Sequence, residues 1–228
     1  MVIPCIDLMG GKVVQLVQGK DKALELPDPL AVLERFSDFP EIQVIDLDAA
    51  MGREPQSTWV SELCRRKPCR VGGGIRSLDR ALQAVQDGAR KVIVGSAAFT
   101  QQGIDHTFLQ SLTAVIARNR LIIAVDCFGD QVAIHGWREL LPLTSGEVLP
   151  QLEPYCSEFL CTCIEVEGRL QGTNLEWFRK LRTRTQHPLT AAGGITTEEE
   201  ISALEELGMN AALGMSIYRQ FFPELFRD

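Results

Sequence analysis

The chain alternates short apolar runs with longer segments in which apolar residues recur every three or four positions. Eight runs are continuously apolar, the pattern of strands buried on both faces in a parallel sheet covered by helices. The predicted strands span residues 2–7, 42–47, 69–71, 91–95, 121–126, 159–164, 188–192 and 211–214. The helical periodicity, with Ser, Thr, Asp or Asn caps at several starts, predicts helices over 29–38, 77–89, 106–119, 174–185 and 197–208.

The two halves of the chain repeat each other. Asp126 falls on Asp7 at a spacing of 119 positions (126 − 7), and a glycine follows each aspartate three residues later. Residues 70–99 match residues 189–218 in the same way, with a Gly-Gly-Ile turn before a capped helix. A period of about half the chain indicates an internal duplication.

Eight strand-helix units in two similar halves predict an α/β fold, a closed (β/α)8 TIM barrel with a two-fold half-barrel repeat. An open, doubly wound sheet is the alternative, but the reversal in its strand order does not follow from a simple duplication. Because no Pro/Gly/Ser linker or charge run divides the sequence, we expect residues 1–228 to form a single domain.

Composition narrows the class of protein. The chain has 228 residues and a formal net charge of −7, which argues against a general nucleic-acid-binding surface. It has no apolar run long enough to cross a membrane and no signal-like start, so a cytoplasmic protein is expected. Seven cysteines, an odd number without zinc-like spacing, suit buried thiols in a reducing compartment better than disulfides or a metal site.

Asp7 and Asp126 end the first and fifth predicted strands, which lie opposite each other in a ring of eight. Active sites of such barrels form at the carboxyl ends of the strands, so the two carboxylates are expected to face each other across the mouth. One can then act as general acid and the other as general base. A strand-end aspartate can also simply cap a loop, but the matched positions of the pair favour catalysis.

Glycines follow the third, fourth, seventh and eighth predicted strands. Backbone N–H groups at such turns, with the positive end of the next helix, can bind a phosphate, although tight turns also use glycine for geometry alone. Two symmetric sets predict two phosphates that hold an elongated substrate by both ends. The sets are residues 72–74 with Gly95, and Gly193 and Gly194 with Gly214.

Several motifs together carry a resemblance over nearly the whole chain. IPCIDLMGGKVV, DLDAAMG, VGGGIRS, VGSAA, HGW, GRLQGTN and AAGGI are similar in order and spacing to those of the phosphoribosylformimino-5-aminoimidazole carboxamide ribotide isomerases of histidine biosynthesis. The resemblance implies an Amadori rearrangement of the bisphosphorylated aminoaldose ProFAR to the aminoketose PRFAR, without metal or cofactor. It further implies a ribotide substrate as partner, no nucleic acid or membrane partner, and a monomer.

The resemblance also implies roles for individual residues. Asp7 is the general base, Asp126 the general acid, and Thr162 orients the substrate. Trp137 stacks on the imidazole carboxamide, unless it only plugs the barrel mouth, and Arg76 lies near a phosphate unless it is merely solvated. The other expected substrate-binding residues are Gly74, Gly95, Ser96, Glu167, Gly193, Gly194 and Gly214.

Three positions depart from the family pattern. Gln15 stands where arginine is common, Glu167 where aspartate is expected, and Met215 where arginine often follows the glycine. We interpret Glu167 as a positioning residue that bonds the opened sugar or Asp126; a solvated loop carboxylate is the alternative.

Three other functions stay open at this point. A bifunctional isomerase would also act on phosphoribosylanthranilate in tryptophan biosynthesis, but such enzymes tend to keep the arginine that Gln15 replaces. A cyclase on the same half-barrel plan, imidazole glycerol phosphate synthase, fits DLDAAMG and HGW less well. A catalytically lapsed phosphosugar-binding barrel is not rejected by fold.

Overall fold

Eight parallel strands form a closed barrel in the computed structural model, which describes residues 1–219 and 222. Each strand pairs with its neighbour in chain order and the last pairs with the first, so the ring has no free edge. The predicted (β/α)8 barrel is thus confirmed and the open sheet was the wrong alternative. The barrel strands are β1 (Val2–Met9), β2 (Ile42–Asp46), β3 (Cys69–Gly72), β4 (Lys91–Val94), β5 (Leu121–Phe128), β6 (Glu158–Cys163), β7 (Leu189–Ala192) and β8 (Met209–Leu213).

Two β-hairpin arms continue from β1 and β5. Val13 of the first arm pairs with Leu8, and Val132 of the second pairs with Cys127, so the repeat is preserved in strand register. The sequence indicates the apolar runs of these arms but not their pairing, which depends on the turns between them. The arms comprise Lys12–Val17 with Asp21–Leu26, and Gln131–Ile134 with Glu139–Thr144; Phe99–Thr100 and Gly103–Ile104 form a further short hairpin.

Helices connect the barrel strands and cover the outside. All five predicted helices are present, and each begins at an Asp, Ser, Asn or Thr whose side chain accepts a backbone N–H. They are α1 (Pro29–Arg35), α4 (Leu78–Gln86), α5 (His106–Val115), α7 (Leu175–Arg182) and α8 (Glu198–Glu206), and the remaining helices are α2 (Leu47–Ala50), α3 (Ser57–Arg66), α6 (Ser145–Leu152) and α9 (Met215–Tyr218).

The sequence pattern missed α3 and α6 for local reasons. Gln56 is the N-cap residue of α3, and its side chain makes no capping hydrogen bond. Helix α6 contains Pro150, which disfavours a helix interior. A capping box of Thr144 and Glu147 precedes its apolar positions and is the signal that identifies it.

No helix of residues 1–219 is long and apolar enough to cross a bilayer.

The barrel interior is filled in layers because alternate residues of each strand point inward. On β6, Glu158 lies in a buried ion cluster at the lower end, Leu160 in an apolar middle layer, and Thr162 at the mouth. The middle layer also contains Ile93 and Ala212. This packing separates the charged floor from the open mouth, where the candidate site lies.

Candidate active site

One cavity of about 300 Å³ lies at the carboxyl ends of the barrel strands. Gly194 is the one candidate residue that does not line it. An added Cβ on Gly194 would lie 2.4 Å from the carbonyl oxygen of Gly172, in the strand-six loop. The structure brings together the other eleven candidates, namely Asp7, Gly74, Arg76, Gly95, Ser96, Asp126, Trp137, Thr162, Glu167, Gly193 and Gly214.

Asp7 lies at the mouth end of β1, next to the first arm. The side-chain amide of Gln15 donates a hydrogen bond to Asp7 Oδ2 at 3.1 Å. Burial raises the pKa of the Asp7 carboxyl from 3.8 to about 7, against the smaller lowering effect of the Gln15 bond. Asp7 is therefore able to exchange a proton near neutral pH.

Asp126 occupies the matched position on β5 and has two hydrogen-bond donors. The indole N–H of Trp137 donates to Asp126 Oδ2 at 2.8 Å, and the Thr162 hydroxyl also bonds this carboxylate. Thr162 reaches it because the two residues are register partners on neighbouring strands. Burial raises the pKa of Asp126, and the two donors oppose that rise by stabilising the carboxylate.

Glu167 lies in the loop after β6 and contacts the tip of the first arm. Its Oε2 accepts the backbone N–H of Gln18 at 3.0 Å, instead of a bond to Asp126, which is one of the two partners that the sequence suggested. The bond to the opened sugar, the other suggested partner, remains a prediction. Burial and then the charge of Asp7 raise the pKa of Glu167 to about 8. An added Cβ on Gly168 would lie 2.7 Å from the Leu16 carbonyl oxygen, so only glycine permits this contact between loops.

The two glycine turns are matched in their packing. An added Cβ on Gly73 would lie 2.2 Å from the Asp46 carbonyl oxygen, and one on Gly193 would lie 2.4 Å from that of Cys163. Both glycines also have positive φ angles, of 96° and 93°. Close backbone approach therefore requires glycine here, independently of any phosphate.

The loop after β4 is joined to the second arm by a hydrogen bond. The hydroxyl oxygen of Ser96 accepts the backbone N–H of His135 at 2.9 Å, which anchors the loop that carries Trp137. Arg76 donates to the carbonyl oxygen of Ala50 at 2.6 Å while still lining the cavity. Its guanidinium is therefore held at the rim, where an anion can reach it.

The family of histidine biosynthesis proteins matches residues 1–222 of this sequence. The chain belongs to that histidine biosynthesis family.

Relatives of this histidine biosynthesis protein cover nearly all of it. A protein of Methanocaldococcus jannaschii named 1-(5-phosphoribosyl)-5-((5-phosphoribosylamino)methylideneamino) imidazole-4-carboxamide isomerase is 35% identical over 226 residues, 96% of this chain and 94% of that protein. Proteins with the same name from Gemmatimonas aurantiaca and Methanothermobacter thermautotrophicus are 33% and 31% identical, each over 96% of this chain and 93% of their own length.

Three residues of this histidine biosynthesis protein support the site but escaped the sequence analysis. Asp48 accepts the N–H of Gly10 at 2.7 Å, and Glu165 accepts that of Gly129 at 2.9 Å, so a carboxylate after β2 or β6 fixes the turn after β1 or β5. Gln18 is the third. Asp48 and Glu165 each lie two positions after the end of their strand, and this shared spacing was the signal that could have identified them. No sequence signal pointed to Gln18.

Proposed function

We propose that this protein is an isomerase of histidine biosynthesis that converts the aminoaldose ProFAR into the aminoketose PRFAR. The observation that carries the proposal is the placement of Asp7 and Asp126 in one cavity, each buried so that its carboxyl pKa is raised. Two buried carboxyl groups with raised pKa values can supply the acid and the base that an Amadori rearrangement needs. The names of the relatives supply the substrate.

The reaction requires one proton to be given and one to be taken. In our proposal Asp126 protonates the ring oxygen of the aminosugar as the ring opens to an iminium. Asp7 then removes the proton from the adjacent carbon, and the resulting enolamine tautomerises to the aminoketose. The donors Trp137 and Thr162 stabilise the carboxylate that Asp126 becomes after it gives its proton.

The substrate is held at both ends. One phosphate binds at Gly74, Gly95 and Ser96, with Arg76 at the rim, and the other binds at Gly193 and Gly214. Gly194 is left out of this second cradle because it does not line the cavity.

Trp137 connects substrate binding to the acid. Its indole N–H is committed to Asp126 while the ring lines the cavity, so a flat imidazole carboxamide can stack on it. Since one closed barrel supplies the lining of the cavity, we infer that the chain acts as one domain; the monomer remains an expectation from the family resemblance.

A steady-state assay of the purified full-length protein tests the proposed function. We expect turnover of ProFAR, unchanged by a metal chelator, and little or none of phosphoribosylanthranilate, because Gln15 supplies no cation for the carboxylate of the latter. Asp7→Asn protein purified identically controls for a contaminating host isomerase. Absence of ProFAR turnover above this control would favour a lapsed binding protein, and comparable turnover of both substrates would favour the bifunctional enzyme.

Glu167→Gln tests the positioning role of the loop carboxylate. Because the pKa of Glu167 is raised to about 8, the group is mostly neutral at pH 6 and charged at pH 9. We expect kcat/KM of the Gln variant to be near that of the parent at pH 6 and roughly ten- to a hundredfold lower at pH 9, where the charge-assisted bond is lost.

Glu176→Gln is the matched control for Glu167→Gln, since it makes the same substitution on the exposed face of α7, outside the cavity. Its profile should follow the parent. Values for Glu167→Gln within about twofold of the parent at both pH values would contradict the positioning role. A loss confined to pH 6 would instead make Glu167 a proton donor.

A further inference from the structure

Gln15 is a buried polar residue at the catalytic end of the barrel. Only 2% of it is exposed, and it lies on the first strand of the first arm, one residue beyond Val14, the register partner of Asp7. Its amide N–H bonds Asp7 Oδ2 at 3.1 Å. A buried amide with such a contact restricts both the position and the rotation of the carboxylate it bonds.

Gly214 makes room for this amide. A Cβ added to Gly214 would lie 2.6 Å from Gln15 Oε1 and 3.9 Å from Nε2, so the amide oxygen occupies the space that any other side chain would fill. The Gln15 oxygen therefore faces β8 while its N–H group faces Asp7.

We propose that Gln15 is the positioning residue for the base: its neutral amide fixes the orientation of the Asp7 carboxylate and, because it carries no charge, leaves that carboxylate basic enough to take a proton from carbon. This inference rests on the proposed function, in which Asp7 is the base. It goes beyond that function by assigning the tuning of the base to one residue of the arm.

Among residues 1–219, the other titratable groups that interact with Asp7 do not supply a counter-charge. They are Cys5 on the same strand, Tyr218 from α9 and Glu167 from the strand-six loop. Burial raises the pKa of the Cys5 thiol and of the Tyr218 hydroxyl well above their usual values, so both stay neutral near pH 7. Glu167 is acidic. A cation at position 15 would therefore change the electrostatics of Asp7 more than any of these groups.

A charge series at position 15 tests the proposal through the pH dependence of kcat/KM. The parent should lose activity below about pH 7, where Asp7 becomes protonated. This loss of activity on the acidic side is the acid limb of the pH profile. Gln15→Glu should move the midpoint of the acid limb upward by about one pH unit or more, because two carboxyl groups in contact share a proton. Gln15→Arg should move it downward by about one to two units and lower the plateau, because the paired carboxylate is a weaker base.

Gln15→Met distinguishes the effect of the amide on the basicity of Asp7 from the effect of side-chain packing at position 15. It keeps a side chain of similar length but removes the donor, so we expect a smaller upward shift together with a lower kcat and a nearly constant KM. Loss of packing alone cannot shift the limb in opposite directions in the Glu and Arg variants. Gln110→Glu and Gln110→Arg, on the exposed face of α5, are the matched controls and should leave the profile unmoved.

Infrared difference spectra of the Asp7 carboxyl group, identified by subtraction of the Asp7→Asn spectrum, give a readout that needs no turnover. If the parent fails to turn over ProFAR, the proposed function is wrong, and a higher titration midpoint of this band in Gln15→Glu still supports the tuning. Should Gln15→Arg fail to fold, the Glu and Met variants decide. Titration midpoints and acid limbs of both that coincide with the parent would overturn the proposal.

Discussion

Replacing either Asp7 or Asp126 by asparagine is expected to lower kcat by at least roughly a hundredfold with little change in KM, because a general acid or base acts in the transition state and not in ground-state binding. Asparagine keeps the size of each side chain and can still meet Gln15 or Trp137, so the cavity should keep its shape. Steady-state kinetics with ProFAR measure the effect. Near-normal turnover in either variant would refute the acid/base assignment.

The free energy of unfolding distinguishes a folded variant that has lost its proton-transfer group from a variant that fails to fold. Burial raises the pKa of Asp7 from 3.8 to about 7, so between these values the folded protein holds a proton that the unfolded chain has released. This group therefore lowers stability as pH rises through that window. Asp7→Asn should consequently be more stable than the parent at pH 8, while Asp38→Asn, in the exposed turn after α1, should match the parent in both activity and stability.

Replacing Arg70 by methionine is expected to lower the free energy of unfolding by about 3–5 kcal/mol, because it removes the buried cation that lies between the carboxylates of Glu41 and Glu158. The Arg70 side chain is 3% exposed. It donates to Glu41 at 2.6 Å, to Thr190 at 3.0 Å and to Glu158, which also pairs with Lys91. Reversible urea unfolding at pH 7 measures the change.

Arg66→Met provides the matched control for Arg70→Met. Arg66 pairs with Glu62 on the outside of α3, and its side chain is 49% exposed, so its loss should cost less than about 1 kcal/mol. A change for Arg70→Met as small as this would show that the ion cluster does not stabilise the barrel. The cluster also joins the two halves, because Arg70 comes from the first and Glu158 from the second.

The sequence by itself determined the eight barrel strands, the five capped helices and the half-barrel repeat. Strands buried on both faces must be continuously apolar, and caps are local hydrogen bonds, so both leave a signature within a few residues. The repeat then placed Asp7 opposite Asp126, since residues at matched positions of a duplicated ring lie half a turn apart. The two glycine turns could be predicted from the sequence because they also lie at matched positions of the two halves.

Only the tertiary structure decided which side chains surround the two aspartates. Gln15 reaches Asp7 through an arm register that no local pattern encodes, and Gln18 meets Glu167 across a sequence separation of 149 residues. Closure of the barrel also buried Arg70 between two carboxylates. These contacts form between elements that come together only when the ring closes and the arms fold over it. Periodicity and spacing therefore predict where the two candidate aspartates lie, and packing sets their protonation and orientation.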